Sequence, residues 1–556
     1  MNMAERSADL VLRNGRIYTL DRERPWVSAM AIRTGRIMAV GDAADVEALA
    51  GSGTQVIDLG GRMVMPGIVD VHTHMLMGGQ AELFDLRFSS TASIEEMLER
   101  IHEYAKKTPE GGWIVGGQWG TDKIEQLNTA ATLAALDKAS LGRPVILKDD
   151  TYHNRWVNSA TLRLAGITAK TSDPHEGRIG RDAKGALTGV MIERGAGLVE
   201  RTLAESGHYT PEMDRQAMAR AISTLNAYGV TAFLDAAAME PMLAALKGLD
   251  DRGQLTAWSV AAMPSVEPSF MFGISGDALF AKRGQYRSTH VHPDYVKFFL
   301  DGVPGTRTAA FHEPYQPIPP DRCCCFRGTT TFSYPELVVW LDKCERLGLA
   351  AKVHCTGDAA VSQMLDAVEV VRSLRGPTKL IHHVAHASYL RDEDLPRFAK
   401  LGVAADLSPF IWYPTTFLEG HKLTMGDERA TRFWPNKDLR AAGALMAGGS
   451  DWPVMPNPDP WDGIEGLVTR RNPKGEFPGV ALWPEQALDL AAALEIFTLN
   501  SARAVGLGDT IGSLEAGKSA DFIVLDQNLF EIAADDIADT KVLQTWFEGR
   551  LVYERG

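Results

Sequence analysis

Cysteine is scarce in this chain, and basic residues are outnumbered by acids. Five cysteines in 556 residues do not make a disulfide framework. Three of them are consecutive, Cys323-Cys324-Cys325, and adjacent cysteines bridge one another only with strain. Cysteine ligand pairs usually show a gap of two residues or more, so the triplet does not read as a zinc site. A reducing, cytoplasmic location is the expectation. Lysine and arginine number 57 against 71 acids, a formal net charge of −14. That argues against a nucleic-acid or anionic-membrane partner, since both require a basic surface. No apolar run approaches the ~18 residues of a membrane span. Met1 to Leu10 carries acids and lacks a long apolar stretch, so it does not read as a signal peptide. No internal repeat or low-complexity tract stands out. What is left is ordinary globular composition, 45% hydrophobic and 23% charged, in a chain long enough for one large core with satellites.

The two ends read as parts of one small β domain. Asp9 to Leu12, Gly15 to Leu20, Ala29 to Ile32 and Arg36 to Val40 are short strands parted by Gly, Asn and Asp turns. Near the other end, Ala520 to Asp526 reads as a strand and Val542 to Tyr553 as a hairpin. Neither end has a full core, so residues 1–65 and 501–556 are expected to pack together as a split β-sandwich.

Between them lie eight short apolar runs with strand character. They are Ile68 to His74, Val230 to Asp235, Thr256 to Ala262, Tyr295 to Asp301, Ala351 to Cys355, Leu380 to His386, Val403 to Leu407 and Ala444 to Asp451. Helical patterns separate most of them, among them Pro211 to Tyr228, Tyr334 to Leu347, Ala359 to Leu374 and Asp392 to Leu401. Alternating strands and helices imply parallel pairing, and eight strands imply an α/β fold of the (β/α)8 TIM-like barrel type over residues 66–500. The gap after the first strand is too long for one helix. An insertion at about 76–200 is expected to cover the barrel mouth.

Chemistry in such barrels gathers at the C-terminal ends of the strands. The first strand ends in His72-Thr73-His74, and alternation puts both imidazoles on one face, half of a metal site. The fourth carries Lys297, the fifth ends at His354, the sixth at His386 and the eighth at Asp451. Each has a plainer alternative. Lys297 could reach solvent or pair with Asp301. His354 could be a satisfied core histidine, and Asp451 could cap the segment after it. Yet Lys297 lies among Val296, Phe298, Phe299 and Leu300, where an ammonium is expensive and tends to lose its proton. A neutral amine can add carbon dioxide and become a carbamate able to bridge two metals. On the sixth strand, regular alternation puts His382 on the face of His386 and turns His383 toward the helices.

The pieces Pro66 to His74, Val296 to Gly302, Gly305 to Ala309, Val353 to Val361, Gly449 to Val454, Asn500 to Ala504 and Gly512 to Asp521 together resemble the amidohydrolase superfamily, within it the amidohydrolase-3 group. The resemblance covers nearly the whole chain. It implies His72 and His74 as ligands of a first metal, Lys297 as a carbon-dioxide-derived bridging carbamate, and His354 and His386 as ligands of a second. Asp451 becomes shared ligand and base. His153 and Trp156 match a His-x-x-Trp-x-Asn pattern of the group and are expected, with Arg307, to line the substrate pocket. Zinc is the expected metal, and members vary between one and two ions. Relatives are often dimers, so a homodimer is allowed, with no interface signal in the sequence itself. Ala385-His386-Ala387-Ser388 departs from a Glu-His-Ala-Gln common in relatives, which leaves the ligand and changes its neighbours.

The function expected is hydrolysis of a carbon–nitrogen bond in a small amide, formamide or carbamate, by metal-activated water with Asp451 as base. Two alternatives stand: a cyclic-amide hydrolase or deaminase, and a non-catalytic metal-binding scaffold. Trp113, Trp119, Trp156, Trp412, Trp452 and Tyr413 are either a pocket for an aromatic substrate or plain core.

Overall fold

The computed structural model describes residues 7–175, 177–268, 270–317 and 325–556. Cys323 and Cys324, and the stretch Met1 to Arg6, lie outside them. Eight parallel strands follow one another in strict chain order around one sheet. They are β1 (Ile68–Thr73), β2 (Val230–Asp235), β3 (Trp258–Pro264), β4 (Val291–Phe299), β5 (Ala350–Cys355), β6 (His383–His386), β7 (Ala404–Asp406) and β8 (Leu445–Ala447). The ends meet through backbone bonds: the Val71 amide donates to the Gly448 carbonyl at 3.1 Å and the Asp451 amide to the His72 carbonyl at 2.7 Å. All eight expected runs are strands. The last three are shorter than the apolar runs that announced them, so Asp451 falls in the loop beyond β8, as Asp301 does beyond β4.

Val69, Val71, Ala232, Leu234, Val260, Ala262, Tyr295, Ala350, Ala404 and Ala447 fill one shared core from seven of the strands. The alternate residues Ile68, Phe233, Met263, Val296, Phe298, Val353, Val384 and Met446 join the much larger core that also takes in the helices. Alternation of side chains across each strand produces this division.

The helices start and stop where their sequence dictates. Thr210 caps Pro211–Ala227 through the Met213 amide, with Pro211 in the first turn, where its missing N–H is not needed. Ser333 and Glu336 form a capping box on Tyr334–Leu347, and Gly348 ends it in the left-handed region.

The insertion leaves β1 through helix Met75–Leu83 and builds its own six-stranded sheet between Leu86 and Glu193. Its core includes Trp119, Leu136, Leu147 and Trp156. The chain returns through helices Arg194–Glu205 and Pro211–Ala227 to β2.

The two ends of the chain share a sheet. Phe522–Leu525 pairs antiparallel with Met63–Pro66, the strand directly before β1. A second sheet is made wholly of N-terminal strands, and Leu12, Ile32, Leu59, Val64, Phe522 and Trp546 pack between the two. Among the described residues, no helix is long and apolar enough to cross a membrane.

Phe522 is fully buried and its ring stacks on Trp546 with centroids 5.4 Å apart. Phe522→Ala is expected to cost about 3–5 kcal/mol of local stability. The measurement is thermal unfolding at fixed metal concentration, where a distinct fall in midpoint is expected. An unchanged midpoint would mean that the two chain ends are not held by this core.

Candidate metal centre

Four imidazoles, one carboxylate and one amine come together at the C-terminal ends of β1, β4, β5, β6 and β8. His72 Nε2 lies 3.6 Å and His74 Nε2 3.3 Å from the Asp451 carboxylate. The His72 and His386 rings are 4.9 Å apart, and those of His386 and His354 are 4.6 Å apart. Lys297 Nζ is 3.3 Å from His72 Nε2. His72, His386 and Asp451 each offer a donor atom within 4.8 Å of the others. The loop carrying Asp451 can approach because of Gly449, where a Cβ would stand 2.6 Å from the His72 backbone nitrogen.

Three of the imidazoles are braced from behind. His72 Nδ1 is 2.9 Å from the Asp406 carboxylate, and His354 Nδ1 is 3.0 Å from Asp301. His386 donates its Nδ1–H to the Ser408 carbonyl at 2.8 Å. Such backing fixes the tautomer and leaves Nε2 as the lone-pair nitrogen, the arrangement a metal ligand requires. His74 differs, since its buried Nδ1 has no hydrogen-bond partner. Asp301 also accepts the amides of Ala310, Thr356 and Gly357. Its role is therefore to position His354, and the pairing of Lys297 with Asp301 is not what the fold builds.

Burial sets the charges. It drives the imidazoles of His72 and His354 well below their ordinary range, helped at His72 by Lys352 and Lys297 and at His354 by His153 and Lys297. His386 falls to about 3 from burial and the neighbouring His354. All three are neutral, as ligation demands. Burial works to raise Asp451, but His72, His74 and His386 override it and hold the carboxyl well below its ordinary range. Burial and Lys352 bring the Lys297 amine down to about 7. Neutral imidazoles around an ionised carboxylate fit a divalent cation by the chemistry of their donors.

Two adjoining cavities open on this cluster. One is lined by His72, His74, Lys297, Phe270, Phe299 and Met77. The other is lined by Ile411, Phe417, His421, Phe433 and Trp434. His153, His354, His386 and Asp451 line both. His153 comes from the insertion, its Nδ1 2.9 Å from Glu193, and Glu193 also accepts a bond from Thr308 at 2.6 Å. Burial works to lower the His153 imidazole and Glu193 raises it, with a net rise.

One pocket expectation is corrected, and a second residue lies outside these two cavities. Trp156 is fully buried in the insertion's core and lines neither cavity. His153 lies in the turn before the strand Arg155–Val157, and the strand turns the indole inward. Arg307 follows the turn Pro304–Thr306 at φ +63°, and neither cavity includes it. The motif reaches the site through Thr308 instead. Trp119, Trp412 and Trp452 are buried and line neither cavity, so the aromatic wall of these two is built from other residues.

The sixth strand is also corrected. His382 bonds Glu345 of helix Tyr334–Leu347, while His383 approaches Lys352 at 3.4 Å and the Ala504 carbonyl at 2.9 Å. Regular alternation counted back from His386 therefore does not hold: His382 faces a helix, and it is His383 that faces Lys352.

Sequence reasoning missed Asp406, Lys352 and Glu193. Lys352 pairs with Asp406, both fully buried. Each is a lone charge inside an apolar strand, which is the signal that could have found them.

Neutral, braced imidazoles about an ionised carboxylate at the mouth of an eight-stranded barrel define a metal-dependent hydrolase. The chain belongs to the amidohydrolase family, whose model matches residues 55–553. It is similar to N-substituted formamide deformylase of Arthrobacter pascens, 27% identical over 568 residues and 98% of each chain. It is likewise similar to the Protein LONG AFTER FAR-RED 3 of Arabidopsis thaliana, 29% identical over 553 residues, 98% of this chain and 92% of that one. Among solved structures, an uncharacterized metal-dependent hydrolase from Pyrococcus horikoshii is 27% identical, with a TM-score of 0.72 over 94% of this chain and 99% of that one.

Asp406→Asn removes the charge behind His72. Zinc affinity, measured by chelator competition, is expected to fall ~10–100-fold. Unchanged affinity would remove Asp406 from the support of the site.

Proposed function

We propose that the chain hydrolyses the carbon–nitrogen bond of a small amide, formamide or carbamate. The observation that carries this reading is the ionised Asp451 held among neutral imidazoles at the floor of a cavity with an apolar wall. The likeness to a formamide deformylase over 98% of both chains supports it.

His72 and His74 would hold a first divalent ion, for which we propose zinc, and His354 and His386 a second. Asp451 and a carboxylated Lys297 would be available to both. When bound, the metal supplies Lewis acidity, which polarises a carbonyl and brings the pKa of water toward neutrality. The remaining chemistry belongs to the chain. With its pKa near 7, the Lys297 amine is partly unprotonated at neutral pH. Its lone pair forms an N–C bond to carbon dioxide, a proton leaves, and the carbamate carries one negative charge. Asp451 accepts a proton from the attacking water as the water oxygen bonds to the carbonyl carbon. On collapse the carbon–nitrogen bond breaks, and Asp451 returns that proton to the leaving nitrogen. His153, steadied by Glu193, lies beside His354 with ring centroids 5.3 Å apart, positioned to meet the substrate carbonyl.

Metal content per chain, measured by elemental mass spectrometry after growth with zinc and bicarbonate, tests the site. About two equivalents are expected, falling toward one in Lys297→Ala. One equivalent in both proteins would remove the carbamate, and none in folded wild type would sink the reading. Asp451→Asn is expected to keep much of its metal and lose ~10²–10⁴-fold in kcat on a formamide panel. Near-wild-type turnover would remove Asp451 as the base.

A further inference from the structure

The cavity beside the metal centre carries one polar ring that the hydrolytic steps do not use. Pro409, Ile411, Phe417, Phe433 and Trp434 give it an apolar lining. Trp434 is anchored to the metal centre, its indole N–H donating to the His386 carbonyl at 2.9 Å. Helix Thr416–Met425 contributes Phe417 and, four residues later on the same face, His421. His421 is 5% exposed.

Its chemical state follows from its neighbours. The Tyr389 hydroxyl oxygen is 2.9 Å from His421 Nδ1 and 3.1 Å from the Ala430 carbonyl. The hydroxyl has one proton. Only one assignment satisfies both contacts: the hydroxyl donates to the carbonyl and accepts from Nδ1–H. Nε2 is then a bare lone pair, and no described residue donates to it. Burial pushes the imidazole down to about 3, so the ring stays neutral. Phe433 stacks on Tyr389 at 5.0 Å and meets His421 edge-on at 5.1 Å, which holds both rings in place.

We propose that His421 is a specificity-determining residue that accepts a hydrogen bond from a hydroxyl or N–H donor on the apolar, ring-bearing part of the substrate. The inference rests on the hydrolytic reading above and adds the substrate feature that the cavity selects. An acceptor left unmet in an apolar lining is unfavourable, so a substrate lacking the donor is discriminated against.

The test compares formanilide with its three ring-hydroxylated isomers on metal-loaded enzyme. Wild type is expected to favour at least one isomer by about tenfold in kcat/KM. His421→Phe removes the acceptor and is expected to abolish that preference. Tyr389→Phe keeps the ring stack, frees the tautomer and is expected to narrow it. No preferred isomer in wild type, or a preference that survives in His421→Phe, overturns the proposal. If none of the four compounds is hydrolysed, the hydrolytic reading fails for this class, and binding decides the proposal separately. Ligand-observed NMR would then compare phenol with anisole, which cannot donate. Phenol is expected to bind wild type about tenfold more tightly, with the difference lost in His421→Phe and narrowed in Tyr389→Phe. Equal binding in wild type overturns the assignment of His421.

Discussion

Burying four imidazoles, a carboxylate and a primary amine in one water-poor space is unfavourable unless each group is neutral or paired. The chain meets that constraint by division of labour. Burial neutralises His72, His354 and His386, and their Nδ1 atoms face Asp406, Asp301 and a backbone carbonyl. The one strongly ionised group of the cluster, Asp451, is the one surrounded by imidazoles. Lys352 spans the barrel between Asp406 and the Val71 carbonyl, so the brace behind His72 is tied to the strand that carries His72. Centre and barrel closure are in this sense a single structure.

The satellite parts serve the same place. The insertion delivers His153 over the strand ends, and Glu193 joins it to Thr308 after β4. Thr416, which begins the helix bearing Phe417 and His421, bonds Asp150 of the insertion at 2.9 Å. The split β domain hands its last N-terminal strand, Met63–Pro66, directly to β1, and the C-terminal strand beside it pins that entry. Each satellite supplies or steadies an element that reaches the strand ends, as a barrel with its chemistry on one face requires.

Much of this was legible in the chain. The short apolar runs marked all eight barrel strands, and the ends of five of them marked the cluster residues. Less was legible in the direction of individual side chains. The faces of His382 and His383 came out reversed: the strand begins only at His383, and His382 before it turns to Glu345 of a helix. The pattern places Trp156 at the pocket, but its strand turns the indole into the insertion's core. Asp406 and Lys352 escaped notice because an ion pair between β5 and β7 leaves only two isolated charges in the sequence.

By itself, then, the sequence determined which residue types stand at the ends of which strands. Side-chain period and strand length are local properties of the chain. Tertiary structure alone decided which donors converge, which nitrogen of each imidazole is free, and how each group is charged. Those depend on neighbours far away along the chain, such as Asp406 behind His72 and Tyr389 behind His421. They depend also on how completely water is excluded, a property of the folded barrel and not of any segment of it.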